Sequence, residues 1–378
     1  MIRTLALLLL LSHPSPLRAA DGLADEGPRI RIAISRTSPA IKLKTASKIY
    51  VEDVKTSKKY LLLESAAYEI KAEGGRVSVA GQQLSSPVKL LPSDGQERIR
   101  LGGKLYKGDI LLRATPEDRL DIIEYIPLEE YLYGVLTVEM GPDWPLEALK
   151  AQAVASRTYA LKFINPSRDY DVTDGAEMQV YNGTTKINPR IIEAVTATRG
   201  EVLKYKGRLV TAFFHACCGG HTSSAASAWG DSATKPLSGV SDPYCSPSRH
   251  SRWELFVPAK DLLKFIQARG STALKIRGVR VHRKDRSGRA VTLRFSTDDG
   301  SKDAPVKELR KYLGNYEFKS TLISRISAVR GGYEFAGRGW GHGVGMCQEG
   351  AKYMAMKGRS YKRILRQYYP GAAIVDYE

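Results

Sequence analysis

The chain has 378 residues, a net charge of +18, an isoelectric point near 9.6 and four cysteines. That length allows two or three domains of ~100–200 residues, and four cysteines are too few to form the disulfide scaffold on which a small secreted domain relies. The positive charge favours polyanionic partners. It is spread along the chain, with no arginine-rich tail or recognised nucleic-acid motif, so nucleic acid is not an expected partner.

The chain opens Met1-Ile2-Arg3, runs apolar from Leu5 to Leu11 and reaches Ala19-Ala20. A positive start, a short apolar run and small residues form a secretory signal, expected over 1–20. The run is far shorter than the ~20 apolar residues that span a bilayer. No later stretch is long enough, so the expectation is an exported protein of the periplasm, cell wall or extracellular space with no transmembrane segment. Polyanions there are wall polymers, lipopolysaccharide and anionic glycan.

Residues 27–112 alternate short β-rich runs (Arg29–Ile34, Lys48–Val54, Lys59–Leu63, Arg76–Val79) with turns at Glu73-Gly74-Gly75 and Pro92-Ser93-Asp94-Gly95, which predicts a small β-rich domain. Beyond Pro127 the pattern changes. Trp144-Pro145-Leu146-Glu147 opens a helix that runs to Phe163 and stops before Asn165-Pro166. Leu146, Leu149, Ala153, Ala160 and Leu161 form its expected buried face. Lys150 and Arg157, seven residues apart, project from nearly the same side. Asn188–Thr198 reads as helix, Leu203–Phe214 as a strand pair turning at Lys206-Gly207, and Pro258–Ala268 as helix. Val279–Arg283 and Ala290–Ser296 read as a hairpin within a segment near 255–325. The chain ends with a glycine-rich loop at Gly337–Gly345 and helices near Gln348–Met356 and Tyr361–Tyr369. The fold class is α+β.

Three segments carry chemistry. In Tyr131–Met140 a single carboxylate, Glu139, ends an apolar run; lost hydration raises a carboxyl pKa and suits it to general acid work. The alternative is an ordinary strand-end Glu paired with a base. In Phe213–His221, with Cys245 downstream, His215, Cys218, His221 and Cys245 could hold Zn²⁺, which favours thiolate and imidazole. A disulfide from Cys245 to Cys217 or Cys218 is the equal alternative, and free thiols the third. In Gly337–Gln348, alternate glycines let backbone approach a ligand closely, with Trp340 placed to stack on a sugar and His342 to carry a proton or position a hydroxyl. The alternative is a purely structural glycine turn. Cys347 with His342 would make a cysteine-hydrolase pair, although no orienting acid is evident.

Taken together, Glu139-Met140, Glu147–Ala160, Gln179-Val180-Tyr181, His215–Trp229, Leu313-Gly314, Lys319-Ser320-Thr321, Gly337–Gln348, Ala351–Gly358 and Tyr368-Tyr369-Pro370-Gly371 resemble the SpoIID/LytB family, in family order over roughly residues 115–375. The resemblance implies a SpoIID-like catalytic domain over 115–375, with the β-rich domain outside it. It implies a lytic transglycosylase acting on peptidoglycan strands stripped of stem peptides, with Glu139 catalytic and Lys150, Arg157, Gln179, Tyr181, Trp340 and His342 toward the substrate. It also implies a structural Zn²⁺ in those members that bind one, and no cofactor required for the chemistry. LytB-type members imply a second reading, a non-catalytic wall-binding enhancer of a partner amidase. Cys347 departs from the family's usual Ser, and Asp174–Met178 from its Thr-rich run.

A glycosidase ordinarily needs two carboxylates. A lytic transglycosylase needs one, because the muramic acid's own C6 hydroxyl attacks C1.

Overall fold

Short alternating strands and turn residues give residues 27–127 two β-sheets in a computed structural model that describes residues 9–10, 27–44, 48–63, 66–92, 99–141, 143–175, 177–184 and 187–377. Apart from Leu9–Leu10, the expected signal segment lies outside the described residues, as does the turn expected at Ser93–Gly95. The larger sheet has the order Leu9–Leu10, Lys58–Leu62, Ile49–Asp53, Val88–Pro92, Asp109–Ala114, Leu120–Pro127, Arg29–Ser38 and Val172–Thr173. Its pairings are antiparallel except the last. The smaller sheet is Lys104–Tyr106, Ile99–Leu101, Ala40–Lys44, Ala67–Glu73, Arg76–Val79 and Gln82–Ser85. The period-two pattern places Ile30, Ile32, Ile70, Leu90, Ile110 and Leu112 fully inside.

The molecule is thus α+β, and its contacts divide it into two units, 1–143 with 159–199 and 144–158 with 200–378. In the first unit, helix α1 (Leu128–Glu139) follows the strand Leu120–Pro127 directly, with Glu129 and Glu130 in its first turn, where the helix dipole favours acids. Glu139 is therefore the last residue of a helix, rather than the end of a strand.

Helix α2 (Leu146–Phe163) belongs to the second unit through Thr158 and to the first from Tyr159. It differs from the one-sided helix expected: every residue from Ala151 to Leu161 is buried. Small side chains (Ala151, Ala153, Ala155, Ser156, Ala160) let neighbours approach on all sides, and the polar members are satisfied locally. Gln152 donates to Ser156 (3.0 Å), Thr158 Oγ1 donates to the Val154 carbonyl (2.6 Å) and accepts from Leu203 N (2.9 Å).

The second unit holds two three-stranded antiparallel sheets, Trp253–Pro258/Gly332–Gly337/Ile323–Val329 and Ile276–Lys284/Ala290–Thr297/Gly300–Pro305. Helices Ala259–Gln267 and Val306–Leu313 share a core with them that includes Leu262, Phe265, Leu293, Phe295, Leu309, Phe318 and Phe335. A second core joins Val154, Leu203, Val344, Met346, Ile364, Tyr368 and all four cysteines. The expected hairpins and the helices Gln348–Met356 and Tyr361–Tyr368 are present. Among the described residues, no helix is long and apolar enough to cross a membrane.

Gly134 shows how tightly the first unit is fitted. A Cβ there would stand 2.3 Å from the Tyr181 ring and 2.6 Å from the Gly183 carbonyl oxygen. Gly→Ala inside a helix ordinarily gains about 1 kcal/mol, whereas overpacking costs roughly 1–3 kcal/mol. Because one of the atoms met is backbone, the steric cost should win: Gly134→Ala should lower the denaturation midpoint, and an unchanged or higher midpoint would contradict this contact.

Candidate active site and buried thiol cluster

Glu139 is half-buried, and its Oε1 accepts a hydrogen bond from the Val180 backbone N–H at 3.0 Å. The segment Gln179-Val180-Tyr181 is thereby brought to the end of α1. Gln179 is fully buried and accepts from the Tyr131 hydroxyl (3.2 Å), while Tyr181, 1% exposed, packs on Tyr131 with ring centroids 5.1 Å apart. Burial, then the charge of Glu139, pushes the Tyr131 phenol well above its ordinary value, so it acts as a neutral hydrogen-bond donor. These four residues form one constellation.

Sequence reasoning missed Glu124 in the same unit. Fully buried, it accepts from Gly108 N (2.9 Å) and Lys107 N (3.1 Å), and burial pushes its carboxyl up to about 7 despite those bonds. The only signal was a carboxylate inside an otherwise apolar strand, Ile122-Ile123-Glu124.

The remaining expected site residues lie in the second unit. Lys150 Nζ pairs with Glu147 Oε1 at 3.0 Å and stands 5.9 Å over the Tyr361 ring, while the other oxygen of Glu147 accepts from Tyr361 N (2.7 Å). Arg157 is 1% exposed and donates to the Glu201 carbonyl at 3.1 Å, which places it inside the fold.

The glycine loop has left-handed backbone at Gly339, Gly341, Gly343 and Gly345. Trp340 is stitched by both its N–H and its carbonyl to Cys217 (2.8 and 3.0 Å), and its half-buried ring faces His250, Tyr316 and the Lys319 ammonium. His342 Nδ1 accepts from Val344 N at 3.1 Å, and burial pushes its pKa down to about 4, so the ring is neutral at working pH.

The four cysteines are free and buried. Sulfurs of Cys218, Cys245 and Cys347 and an Asp242 oxygen all lie within 4.8 Å of one another. Cys218 Sγ is 3.1 Å from Asp242 Oδ2 and 3.5 Å from Cys245 Sγ, far beyond the ~2.05 Å of a disulfide. Backbone N–H groups point at two sulfurs, Gly220 N at Cys218 (3.3 Å), and Cys218 N and Gly350 N at Cys347 (3.2 and 3.3 Å). Hydrogen bonds toward Cys245 push Cys217 up to about 12 and Cys218 further, and pull Cys245 down.

Of the metal set expected from sequence, Cys218 and Cys245 come together, whereas His215 and His221 stand outside the group of donors within 4.8 Å of one another. His215 Nδ1 bonds the Val344 carbonyl (3.1 Å) and His221 Nδ1 the Thr222 carbonyl (2.7 Å). Asp242 and Cys347 take their places. Cys347 is fully buried and pushed well above its ordinary value, chiefly by burial, which removes it as a nucleophile.

The family model described as Stage II sporulation protein (SpoIID) matches residues 116–205, and one described as a domain of unknown function (DUF8618) matches 242–345. An uncharacterized protein of Brachyspira hyodysenteriae is 36% identical over 293 residues, 75% of each chain. The stage II sporulation protein D of Bacillus subtilis is 30% identical over 300 residues, 71% of this chain and 82% of that protein. The amidase enhancer of Bacillus subtilis is 30% identical over 366 residues, 84% of this chain but 51% of that protein, so the chain spans about half its length.

Glu124 gives a test of this geometry. Burial pushes its carboxyl up to about 7 in the folded protein, above the usual carboxylate range, and so favours the protonated form. The stability it contributes is present below the unfolded pKa and is lost as pH rises through about 7. Glu124→Gln keeps the acceptor for Gly108 and Lys107. Its unfolding free energy, measured against wild type from pH 4 to 8, should fall off less steeply with rising pH. Parallel curves would place Glu124 outside the apolar interior.

Proposed function

The chain belongs to the SpoIID/LytB family, and from this premise we propose that it is an exported lytic transglycosylase cleaving peptidoglycan strands denuded of stem peptides at the MurNAc–GlcNAc bond. The observation that carries this reading is Glu139, a half-buried carboxylate at the end of α1 whose Oε1 accepts from the Val180 N–H at 3.0 Å. Glu139 protonates the leaving glycosidic oxygen. As carboxylate it then takes the proton of the muramic acid C6 hydroxyl while that oxygen attacks C1, and the 1,6-anhydro ring closes without water. One group suffices because the nucleophile is intramolecular. Gln179 and Tyr181 fix the segment that orients Glu139, Lys150, Trp340 and His342 serve the glycan, and Arg157 supports the strand at Glu201 from within. The catalytic domain is proposed over 115–375.

We also propose a structural Zn²⁺ held by Cys218, Asp242, Cys245 and Cys347. The donor chemistry fits: three sulfurs and one oxygen, all buried, with a 3.5 Å sulfur–sulfur separation close to the ~3.8 Å edge of a tetrahedron with ~2.3 Å Zn–S bonds. Backbone N–H groups aimed at two of the sulfurs are the outer-shell support such ligands use. The metal's part is to tie the glycine loop and the helix Gln348–Met356 to the Cys217–Gly220 turn, and the chemistry at Glu139 does not call on it. Purified protein should carry about one zinc per chain, and Cys245→Ala should lose it with a fall in melting temperature. Four titratable thiols in a metal-free, equally stable protein would overturn the site.

Glu139→Gln preserves shape and the acceptor for Val180 but cannot deliver or recover a proton. Loss of a general acid–base group costs ~10²–10⁴-fold, so the folded variant should still pull down denuded glycan while releasing almost no anhydro-muramic product by mass spectrometry. Glu130→Gln, whose ion pair with Lys107 is partly exposed, should stay active. Near-normal turnover by Glu139→Gln would remove the catalytic assignment. The enhancer reading, which the amidase enhancer relative supports, then predicts that the wild-type chain stimulates an amidase and makes no anhydro ends alone.

A further inference from the structure

The second unit contains a cavity of about 340 Å³ in which, of the residues given a role above, His342 takes part. Its size falls within the ~300–1,000 Å³ range of small-molecule sites. One wall is aromatic. Trp229, 41% exposed, packs at a tilt against Phe213 and His342, with centroids 4.6 and 5.1 Å apart, and both Trp229 and His342 line the space. The other wall is cationic, formed by Arg283, Arg289, Lys307 and Arg310.

The single carboxylate in that lining, Asp285, has both oxygens committed. Oδ2 accepts from Ser223 Oγ (2.6 Å), and Oδ1 accepts from Ser287 N and Oγ and from Arg289 N (2.8, 2.6 and 3.0 Å). Four cations against one carboxylate leave a formal excess of 4 − 1 = +3 around the cavity.

Arg289 is the decisive residue. It is 3% exposed and makes one side-chain hydrogen bond, Nη2 to the Cys218 carbonyl at 2.8 Å. Its Nε and Nη1 are buried with no acceptor, as is the Thr292 hydroxyl on the same lining. Gly343 makes room for this guanidinium, since a Cβ there would lie 2.2 Å from Nε and Nη2. Burying a guanidinium with donors unmade is costly, and polar atoms left unpaired in a cavity wall are the mark of a missing ligand. Arg310 spends two donors on the Phe318 and Asn315 carbonyls (2.8 and 3.3 Å) and adds its charge beside Arg289.

An aromatic face next to unpaid positive charge matches a sugar ring carrying one compact anion. We propose that this cavity is a subsite for a carboxylate-bearing amino sugar, the peptide-free muramyl residue, whose free lactyl carboxylate answers Arg289 and Arg310 while its ring stacks on Trp229. The identity of the sugar rests on the wall-glycan reading above, whereas the anion site itself does not. In intact peptidoglycan the lactyl group is an amide, uncharged and extended by peptide. The site therefore discriminates in favour of stripped strands by charge as well as by space.

The test is binding of small probes to the full chain carrying Glu139→Gln, so that loss of catalysis and loss of binding are read separately. N-Acetylmuramic acid should bind, with affinity falling as salt rises. Its methyl ester, the same ring without the charge, and N-acetylglucosamine should each bind at least tenfold more weakly. Arg310→Gln and Trp229→Ala should each lose at least tenfold for N-acetylmuramic acid. The second variant keeps the proposal testable where the first misfolds, since the Trp229 side chain is largely outside the core. Equal binding of acid and ester, unchanged binding in both variants, or no binding of the acid would overturn the proposal. Inorganic phosphate displacing the acid at equal or lower concentration would also overturn it, and would mark a general anion site, such as one for phosphate-bearing wall polymers.

Discussion

The core that gathers the cysteines in the second unit depends on how completely α2 is buried. Eleven consecutive residues without solvent leave no exposed face on which polar groups can be hydrated. Each must therefore find a partner within the protein, and the partners dictate what lies beside the helix. Thr158 and Arg157 bond the strand Glu201–Tyr205 at Leu203 N and at the Glu201 carbonyl. Hydrogen bonds involving a charged group are worth about 1.5–3 kcal/mol, and losing one partner leaves a buried charge. Arg157 is thus held by the fold as firmly as it holds the fold. A basic residue at this position reads from sequence as a substrate contact, yet its geometry is that of a strut.

The same packing explains why the cysteines gather. Ala151, Val154 and Ala155 share a core with the Cys217-Cys218 turn, Cys245 and Cys347, three segments widely separated in sequence. The turn is fixed to the glycine loop by the paired bonds between Cys217 and Trp340. Gly339 permits the approach, because a Cβ there would lie 2.6 Å from the Cys217 carbonyl. Ser320 anchors the loop's other side, accepting from Trp253 Nε1 (3.1 Å) and donating to the Arg338 carbonyl (2.6 Å). The glycines thus serve two ends at once. They let backbone pass close to backbone, and at Gly343 they let a guanidinium lie against the chain.

Much of this was legible in sequence. Strand–turn alternation and the Pro–Glu opening of α2 carry local information, and the elements they predict are present, although the strands Arg29–Ser38 and Ile276–Lys284 run longer than expected and Arg208–Leu209 is shorter. The link between Glu139 and Gln179-Val180-Tyr181 was legible only as resemblance, since spacing alone could not show a backbone N–H meeting the carboxylate. Three features were not legible. The all-round burial of α2 depends on what surrounds it, and small residues look the same in an exposed helix. The pairing of Cys347 and Asp242 with Cys218 joins positions 129 and 24 residues away, beyond any local motif. Imidazole was expected in that set because His215 and His221 flank the cysteines, but adjacency in a turn points neighbouring side chains in different directions.

Glu124, Glu139 and Asp285 show why a carboxylate's role follows from its bonds rather than its place in a motif. Glu124 is fully enclosed and its carboxyl is pushed up to about 7, yet both its backbone donors come from one turn and no solvent reaches it. A buried acid of that kind can hold a turn, but it cannot exchange protons with a molecule outside the fold. Asp285 is only partly buried, and four donors saturate it. It organises the hairpin between Lys284 and Ala290, and with its oxygens taken by these donors it makes no hydrogen bond to the guanidinium of Arg289. Of the three, Glu139 alone combines partial burial, a backbone donor on one oxygen and a position at the end of a helix. Proton transfer requires reach as well as a suitable pKa, and on that criterion the carboxylates separate cleanly.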